Sequence, residues 1–344
     1  MQLERMVINM NYVTLGSTGI KVNKNGFGAL PIQRLSETEA IVLLKKAYEN
    51  GITFYDTARG YTDSEKKIGL ALSDVRDKIY IATKGPPVDV KTFWENLEIS
   101  LNKLKTDYID IYQFHNPSVC HRPGDEHGLY DAMLEAKAKG KIRHIGVTYH
   151  RFDSAKEAAE SGLYETIQYP FSYLSGQEEI DFVRFCEEKN IGILAMKALA
   201  GGLITESAAA YAWLAQFNNV VPIWGIQREN ELDEFIQYQK KPPSLSGKER
   251  IIIARDTAEL SGDYCRGCGY CMPCPVGINV SIASRMSLMV KRAPPSLYLM
   301  EDWKKMMKRI PDCTNCGHCE ENCPYNLDTR RLMRENWEVY KEII

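Results

Sequence analysis

The sequence predicts an α/β fold: a (β/α)8 (TIM) barrel over residues 1–242, followed by a small, mostly helical domain over residues 243–344. Three observations carry this. Eight short apolar runs alternate with segments of helical period over roughly the size of such a barrel, about 250 residues. The glycines at 26 and 28 lie inside the first run and lead to no G-x-G-x-x-G turn, which argues against a doubly wound open sheet. After the linker "KKPPSLSGKE", eight of the ten cysteines fall in two tight groups.

The elements follow in order. "NYVTLGSTGIKV" (11–22) alternates apolar residues on both sides of a turn-rich centre and reads as a hairpin; Met10 before it is as good a start as Met1. The predicted barrel strands are "GFGAL" (26–30), "TFYDT" (53–57), "IYIATK" (79–84), "YIDIYQFH" (108–115), "IRHIGVT" (142–148), "TIQYP" (166–170), "IGILAMK" (191–197) and "VVPIWG" (220–225). Between them, "SETEAIVLLKKAYENG" opens on Ser36 with Glu39 three residues later, a capping box, and closes on Gly51. "DVKTFWENLEISLNKL" and "GQEEIDFVRFCEEKN" read as helices in the same way. A helix is expected near 250–260, and "RAPPSLYLMEDWKKMMKRI" reads as a loop and one helix.

The formal net charge is -2, the pI is about 6.4, and lysine and arginine are spread along the chain, so no footprint for nucleic acid is present. No apolar run has the length of a signal sequence core or a membrane span, which points to a cytoplasmic protein. The clustering of the cysteines indicates metal and not disulfides. Cys186 reads as a buried helical thiol, and Cys120 sits in a loop without an assigned role.

In a barrel, functional residues gather at the carboxyl ends of the strands. Asp56 and Tyr61 follow the second run, Lys84 ends the third and His115 ends the fourth. Each has a plainer reading alone: a turn cap, a rim aromatic, a solvated lysine, a half-buried histidine. Together they form an acid–base set suited to carbonyl reduction, in which Lys84 would lower the Tyr61 phenol pKa, Asp56 would hold Lys84, and His115 would orient a carbonyl oxygen. In the loop after the fourth run, His121, Arg122 and His127 are expected to be solvated rather than to form an anion site.

These four residues, in the contexts "GITFYDTARGYTDSEKKIG" and "IDIYQFHNP", resemble the catalytic tetrad of the aldo-keto reductases, and the resemblance runs from Tyr12 to about Gln239. It implies Tyr61 as general acid and NAD(P)H across the barrel mouth. By position, the carboxamide would meet Thr148 and Gln168, the ring would lie by Met196, and the pyrophosphate would pass Leu199, Gly201 and Gly202. The adenosine end would rest on "GIQRENEL", with Gly225, Gln227, Arg228 and Glu231. Tyr149 and Met196 replace an asparagine and an aromatic residue frequent in the family, and Glu231 stands where an arginine to a 2'-phosphate is frequent; a carboxylate there suits a free ribose diol, so NADH is as plausible as NADPH.

"CRGCGYCMPCP" and "CTNCGHCEENCP" each place three cysteines at C-x2-C-x2-C and a fourth before proline. Two four-cysteine zinc sites are the plainer alternative, but they need only pairs of C-x2-C. In two-cluster ferredoxins, which this segment resembles, the fourth cysteine serves the other cluster. That implies one [4Fe-4S] cluster on Cys265, Cys268, Cys271 and Cys323 and another on Cys313, Cys316, Cys319 and Cys274, in a ferredoxin-like iron–sulfur domain.

Two functions are therefore expected. One is NAD(P)H-dependent reduction of an aldehyde or ketone, with the clusters carrying electrons. The other is an electron-transfer or redox-sensing protein that holds a dinucleotide or a flavin at the barrel mouth and exchanges electrons with a redox protein partner.

Overall fold

Strands β1 (Tyr12–Thr14) and β2 (Lys21–Asn23) pair antiparallel around the Gly16–Thr18 turn. Their apolar face, Val13, Leu15, Ile20 and Val22, packs against Phe54, Ala82, Ile111, Leu194 and Val221 inside the barrel. Leu15 touches Gly192 at the start of a barrel strand, so the hairpin seals the amino-terminal end. Each buried aliphatic side chain there stabilises the seal by about 1.5–3 kcal/mol. The opposite, carboxyl end is left for chemistry. The computed structural model describes residues 12–260, 262–292 and 295–344; Met10 lies outside them.

The barrel is formed by β3 (Gly26–Gly28), β4 (Phe54–Asp56), β5 (Tyr80–Gly85), β6 (Ile109–His115), β7 (Ile142–Thr148), β8 (Thr166–Pro170), β9 (Gly192–Met196) and β10 (Val220–Gly225). All neighbouring pairs are parallel, and β10 closes on β3. A Cβ on Gly26 would lie 2.7 Å from the Pro222 carbonyl oxygen and one on Gly28 2.8 Å from that of Trp224. Both glycines thus serve the close approach of these two strands, which accounts for "GFG" without a nucleotide-binding turn.

The helices α1 (Glu37–Glu49), α2 (Ser64–Leu72), α3 (Val90–Leu104), α4 (Leu129–Ala138), α5 (Phe152–Ser161), α6 (Gln177–Glu188), α7 (Ser207–Leu214) and α8 (Glu229–Lys240) follow the barrel strands. The Ser36–Glu39 capping box is present on α1, and Asp89 accepts from the Thr92 amide at the start of α3. Among the described residues, no helix is long and apolar enough to cross a membrane.

The chain divides into two compact units. The first takes in the residues up to Phe171, Ser175–Ala198 and Tyr211–Leu245; the second takes in Ser172–Leu174, Leu199–Ala210 and Ser246–Ile344. The second unit contains α9 (Gly247–Glu259), α10 (Val280–Ala283), α11 (Met286–Arg292), α12 (Glu301–Met307), α13 (His318–Glu321) and α14 (Thr329–Lys341). Its core is built from Ile278, Val280, Met286, Met307, Ile310, Met333 and Tyr340.

Hydrogen bonds explain why two short pieces from earlier in the chain belong to the second unit. The Tyr173 hydroxyl donates to the buried Asp256 carboxylate at 2.5 Å, which also pairs with Arg255 and Arg292. Arg292 donates to the Leu203 carbonyl at 2.9 Å, and Arg285 to that of Gly201 at 2.8 Å.

Candidate active site and cysteine cavities

Asp56 and His115 are the last residues of β4 and β6, and Lys84 is the penultimate residue of β5, so all three stand at the carboxyl end of the barrel. Tyr61 is held in the loop before α2: the Arg59 amide donates to the Lys84 carbonyl at 2.8 Å, and the Tyr61 amide to Ala58 at 3.0 Å. Below the loop, the buried Glu65 carboxylate accepts from Thr83 at 2.8 Å and Ser100 at 2.7 Å and pairs with Arg59. The four predicted tetrad residues converge. Lys84 Nζ lies 5.2 Å from the Tyr61 ring centre, and the Tyr61 and His115 rings meet edge to face at 5.9 Å.

Lys84 Nζ donates to both Asp56 oxygens at 2.8 Å and to the Thr57 carbonyl at 2.7 Å. Both partners are almost fully buried; burial pushes Asp56 up and Lys84 down, and each is drawn back by the other's charge. The positive charge is therefore spent on Asp56. In place of the expected lowering, burial and then the Asp56 charge push the Tyr61 phenol up from its ordinary 10. Both effects favour the protonated phenol, the form that a proton donor needs. His115 is pushed down to about 3, by burial first and by the Lys84 charge second, and stays a neutral imidazole. One proton donor and one neutral hydrogen-bonding ring thus face the same space.

His115, Thr148 and Gln168 occupy consecutive register positions on β6, β7 and β8. Thr148 Oγ1 accepts from the Asn116 amide at 3.0 Å, and Gln168 Oε1 accepts from Gln113 Nε2 at 3.0 Å. Met196 is half-buried at the end of β9. Gln113 and Asn116 organise this row and were not singled out from the sequence; the signal was a polar residue inside an apolar strand, and an asparagine before proline at the strand end. Tyr149 is buried and gives its hydroxyl to the Val119 carbonyl at 3.1 Å. His121, expected to be solvated, is buried: its Nδ1 lies 3.3 Å from Asp125 and its ring packs on Phe114, while Arg122 pairs with Glu157.

Gly225 ends β10, and Glu231 sits in the first turn of α8. Glu231 Oε2 accepts from the amides of Gln227 and Arg228, both at 3.0 Å, so the helix start is capped by its own carboxylate. Gln227 Oε1 accepts from Arg34 at 3.0 Å, and the Arg228 guanidinium is largely exposed, 3.7 Å from Glu231. Leu199, Gly201 and Gly202 belong to the second unit. A Cβ on Gly201 would meet the Arg266 carbonyl and Arg285 Nη1 at 2.8 Å each, whereas the space beside Gly202, at φ +95°, is open.

Two cavities collect the eight clustered cysteines. Cys265, Cys268, Cys271 and Cys323 line one, with Arg266, Ser284 and Pro324. Cys274, Cys313, Cys316 and Cys319 line the other, with Pro275 and Arg330, and Cys271 borders both. The cysteine before each proline therefore faces the other run's three. Cys186 is buried, and its thiol is pushed up to about 12 by burial, in keeping with a packing role; Cys120 stands apart in its loop.

Residues 24–209 match the Aldo/keto reductase family, and residues 264–328 match the 4Fe-4S dicluster domain. Among curated proteins, the chain is 28% identical over 211 residues to L-galactose dehydrogenase of Arabidopsis thaliana, covering 56% of this chain and 66% of that protein. It is 30% identical over 216 residues to aldo-keto reductase YhdN of Bacillus subtilis, covering 57% and 64%. The chain thus spans just under two thirds of the length of these relatives. Among solved structures, the aldo/keto reductase from Klebsiella pneumoniae in complex with NADP and acetate superposes with a TM-score of 0.60 at 22% identity, covering 71% of this chain and 94% of that one. With a closed parallel barrel, four converging acid–base residues and a family match over more than half its length, the chain belongs to the aldo/keto reductase family and continues into a segment matching a 4Fe-4S dicluster domain.

Proposed function

We propose that the protein is an NAD(P)H-dependent oxidoreductase that reduces an aldehyde or ketone to an alcohol at the barrel mouth, and that its C-terminal domain holds two [4Fe-4S] clusters for electron transfer. The observation that carries the first part is the convergence of Tyr61, His115 and the Lys84–Asp56 pair at one strand end. When bound, the reduced nicotinamide supplies a hydride to the carbonyl carbon. Tyr61 supplies the proton to the oxygen, and His115, being neutral, donates an N–H to that oxygen without competing as an acid. Lys84 holds the start of the Tyr61 loop, through its Nζ on the Thr57 carbonyl and the Arg59 amide on its own carbonyl, while Asp56 fixes the ammonium.

The aligned Thr148 and Gln168 side chains offer a hydroxyl and an amide to a carboxamide, and Met196 an apolar contact to the ring. At the adenosine end, Glu231 already satisfies the first amides of α8 and adds negative charge, which favours NADH over NADPH. The Klebsiella relative was solved with NADP, so both cofactors belong in the assay. The clusters are assigned to Cys265, Cys268, Cys271 and Cys323, and to Cys313, Cys316, Cys319 and Cys274; the lining of the two cavities supports this division. An electron-transfer protein with a flavin at the barrel mouth is the competing reading.

The test is oxidation of NADH and of NADPH by anaerobically purified protein against p-nitrobenzaldehyde, after identification of any dinucleotide or flavin released on denaturation. Alcohol should form at the rate of nicotinamide oxidation, with NADH preferred. The acid limb of the pH profile should lack a step near 6.5, because His115 takes up its proton only near 3. A stoichiometric flavin with no carbonyl turnover would favour the competing reading.

A further inference from the structure

The two cysteine cavities differ in the charge and donors that surround them. In the cavity of Cys316, the guanidinium of Arg330 is bound to Glu320, with Nε on Oε1 at 2.6 Å and Nη2 on Oε2 at 2.5 Å, so its charge is neutralised locally. Among the described residues, no carboxylate lines the cavity of Cys323. Ser284 lines it, is 2% exposed, and its buried Oγ has no hydrogen-bond partner among the described residues. The next residue, Arg285, packs its guanidinium over Gly267, between Cys265 and Cys268; Nη1, Cζ and Nη2 lie 2.6, 2.7 and 3.0 Å from where a Gly267 Cβ would be. Arg285 Nη1 donates to the Gly201 carbonyl at 2.8 Å, its Nε is buried without a partner, and it forms no ion pair with a carboxylate among the described residues.

A half-buried guanidinium whose buried Nε has no partner and a buried hydroxyl without one are both costly, and one anionic, sulfur-rich group in the cavity that Ser284 lines, beside the Gly267 turn that Arg285 covers, would compensate both. A four-thiolate [4Fe-4S] cluster is such a group, and one-electron reduction adds a further negative charge to it. Resting on the cluster assignment above, we propose that Ser284 and Arg285 are positioning residues that stabilise the reduced form of the Cys323 cluster and so raise its reduction potential. Burial opposes them, since a low dielectric disfavours the more highly charged reduced state. Arg285 also ties the loop carrying Cys265 and Cys268 to the Leu199–Gly202 segment, so that this cluster's electrostatics reach the backbone of that segment.

The experiment is an anaerobic redox titration with dithionite, followed by electron paramagnetic resonance, of wild type, S284A, R285K and R285Q. Each is also measured in a C316S background, where the other cluster is not intact and the remaining step is identified. R285Q is expected to lower the reduction equilibrium constant of the Cys323 cluster about tenfold, which is about 59 mV for one electron. S284A should lower it several-fold, R285K should retain most of the wild-type value, and the other cluster should not move. Unchanged potentials in both S284A and R285Q, or equal shifts of both clusters, would overturn the proposal. If R285Q fails to assemble, S284A and R285K decide the matter by the same criteria. Wild-type protein that carries zinc in place of iron and sulfide would overturn the cluster assignment itself, and this inference with it.

Discussion

Replacing Tyr61 by Phe should lower carbonyl turnover by about 10²–10⁴-fold while dinucleotide affinity stays close to wild type. Only a hydroxyl is removed, and the ring that packs on His115 is kept. No neighbour can take over the proton. Lys84 Nζ already serves three acceptors, and a neutral His115 gives up its N–H proton far less readily than a phenol does. Single-turnover rates with p-nitrobenzaldehyde, together with nicotinamide fluorescence titration, measure the two quantities separately. Wild-type turnover in Tyr61→Phe would remove this residue from the chemistry.

Loss of Cys323 should damage the cluster of Cys265, Cys268 and Cys271, although Cys323 lies 52 positions beyond Cys271, because the four line one cavity. Wild-type protein should contain about eight iron and eight sulfide per chain. Cys323→Ala and Cys268→Ala should abolish the same paramagnetic signal, and Cys274→Ala and Cys316→Ala the other. Cys120→Ser and Cys186→Ser should leave the iron content unchanged, since neither lines either of these two cavities. If Cys323→Ala and Cys316→Ala removed the same signal, each run would ligate its own cluster and the crossed division would be wrong.

The barrel strands were legible because each is buried on both faces, so that runs such as "IDIYQFH" and "GILAM" stand out as continuous apolar stretches against helices of 3.6 period. The tetrad was legible because strand ends can be located once the strands are. Its electrostatics were not: Tyr61 is raised and not lowered by its burial first and by the Asp56 charge second, and Lys84 is tied to that same Asp56 by two hydrogen bonds between residues 28 positions apart. Sequence spacing also could not show that Leu199–Ala210 groups with the C-terminal unit, because the ties are backbone carbonyls accepting from Arg285 and Arg292. His121 was misjudged for a related reason. Its loop is polar in composition, yet the ring is buried by Phe114 and His127.

A nicotinamide gives up two electrons as a hydride, whereas each cubane accepts one, and a flavin ordinarily joins the two kinds of step. The central claim is that the hydride goes directly to the carbonyl carbon, with the clusters outside that step. The most direct measurement is rapid anaerobic mixing of flavin-free protein with reduced nicotinamide and p-nitrobenzaldehyde while the visible absorbance of the clusters is followed. The account predicts alcohol formation with the clusters still oxidised, and bleaching only when dithionite is added. Bleaching by the nicotinamide at the rate of its own oxidation would contradict it.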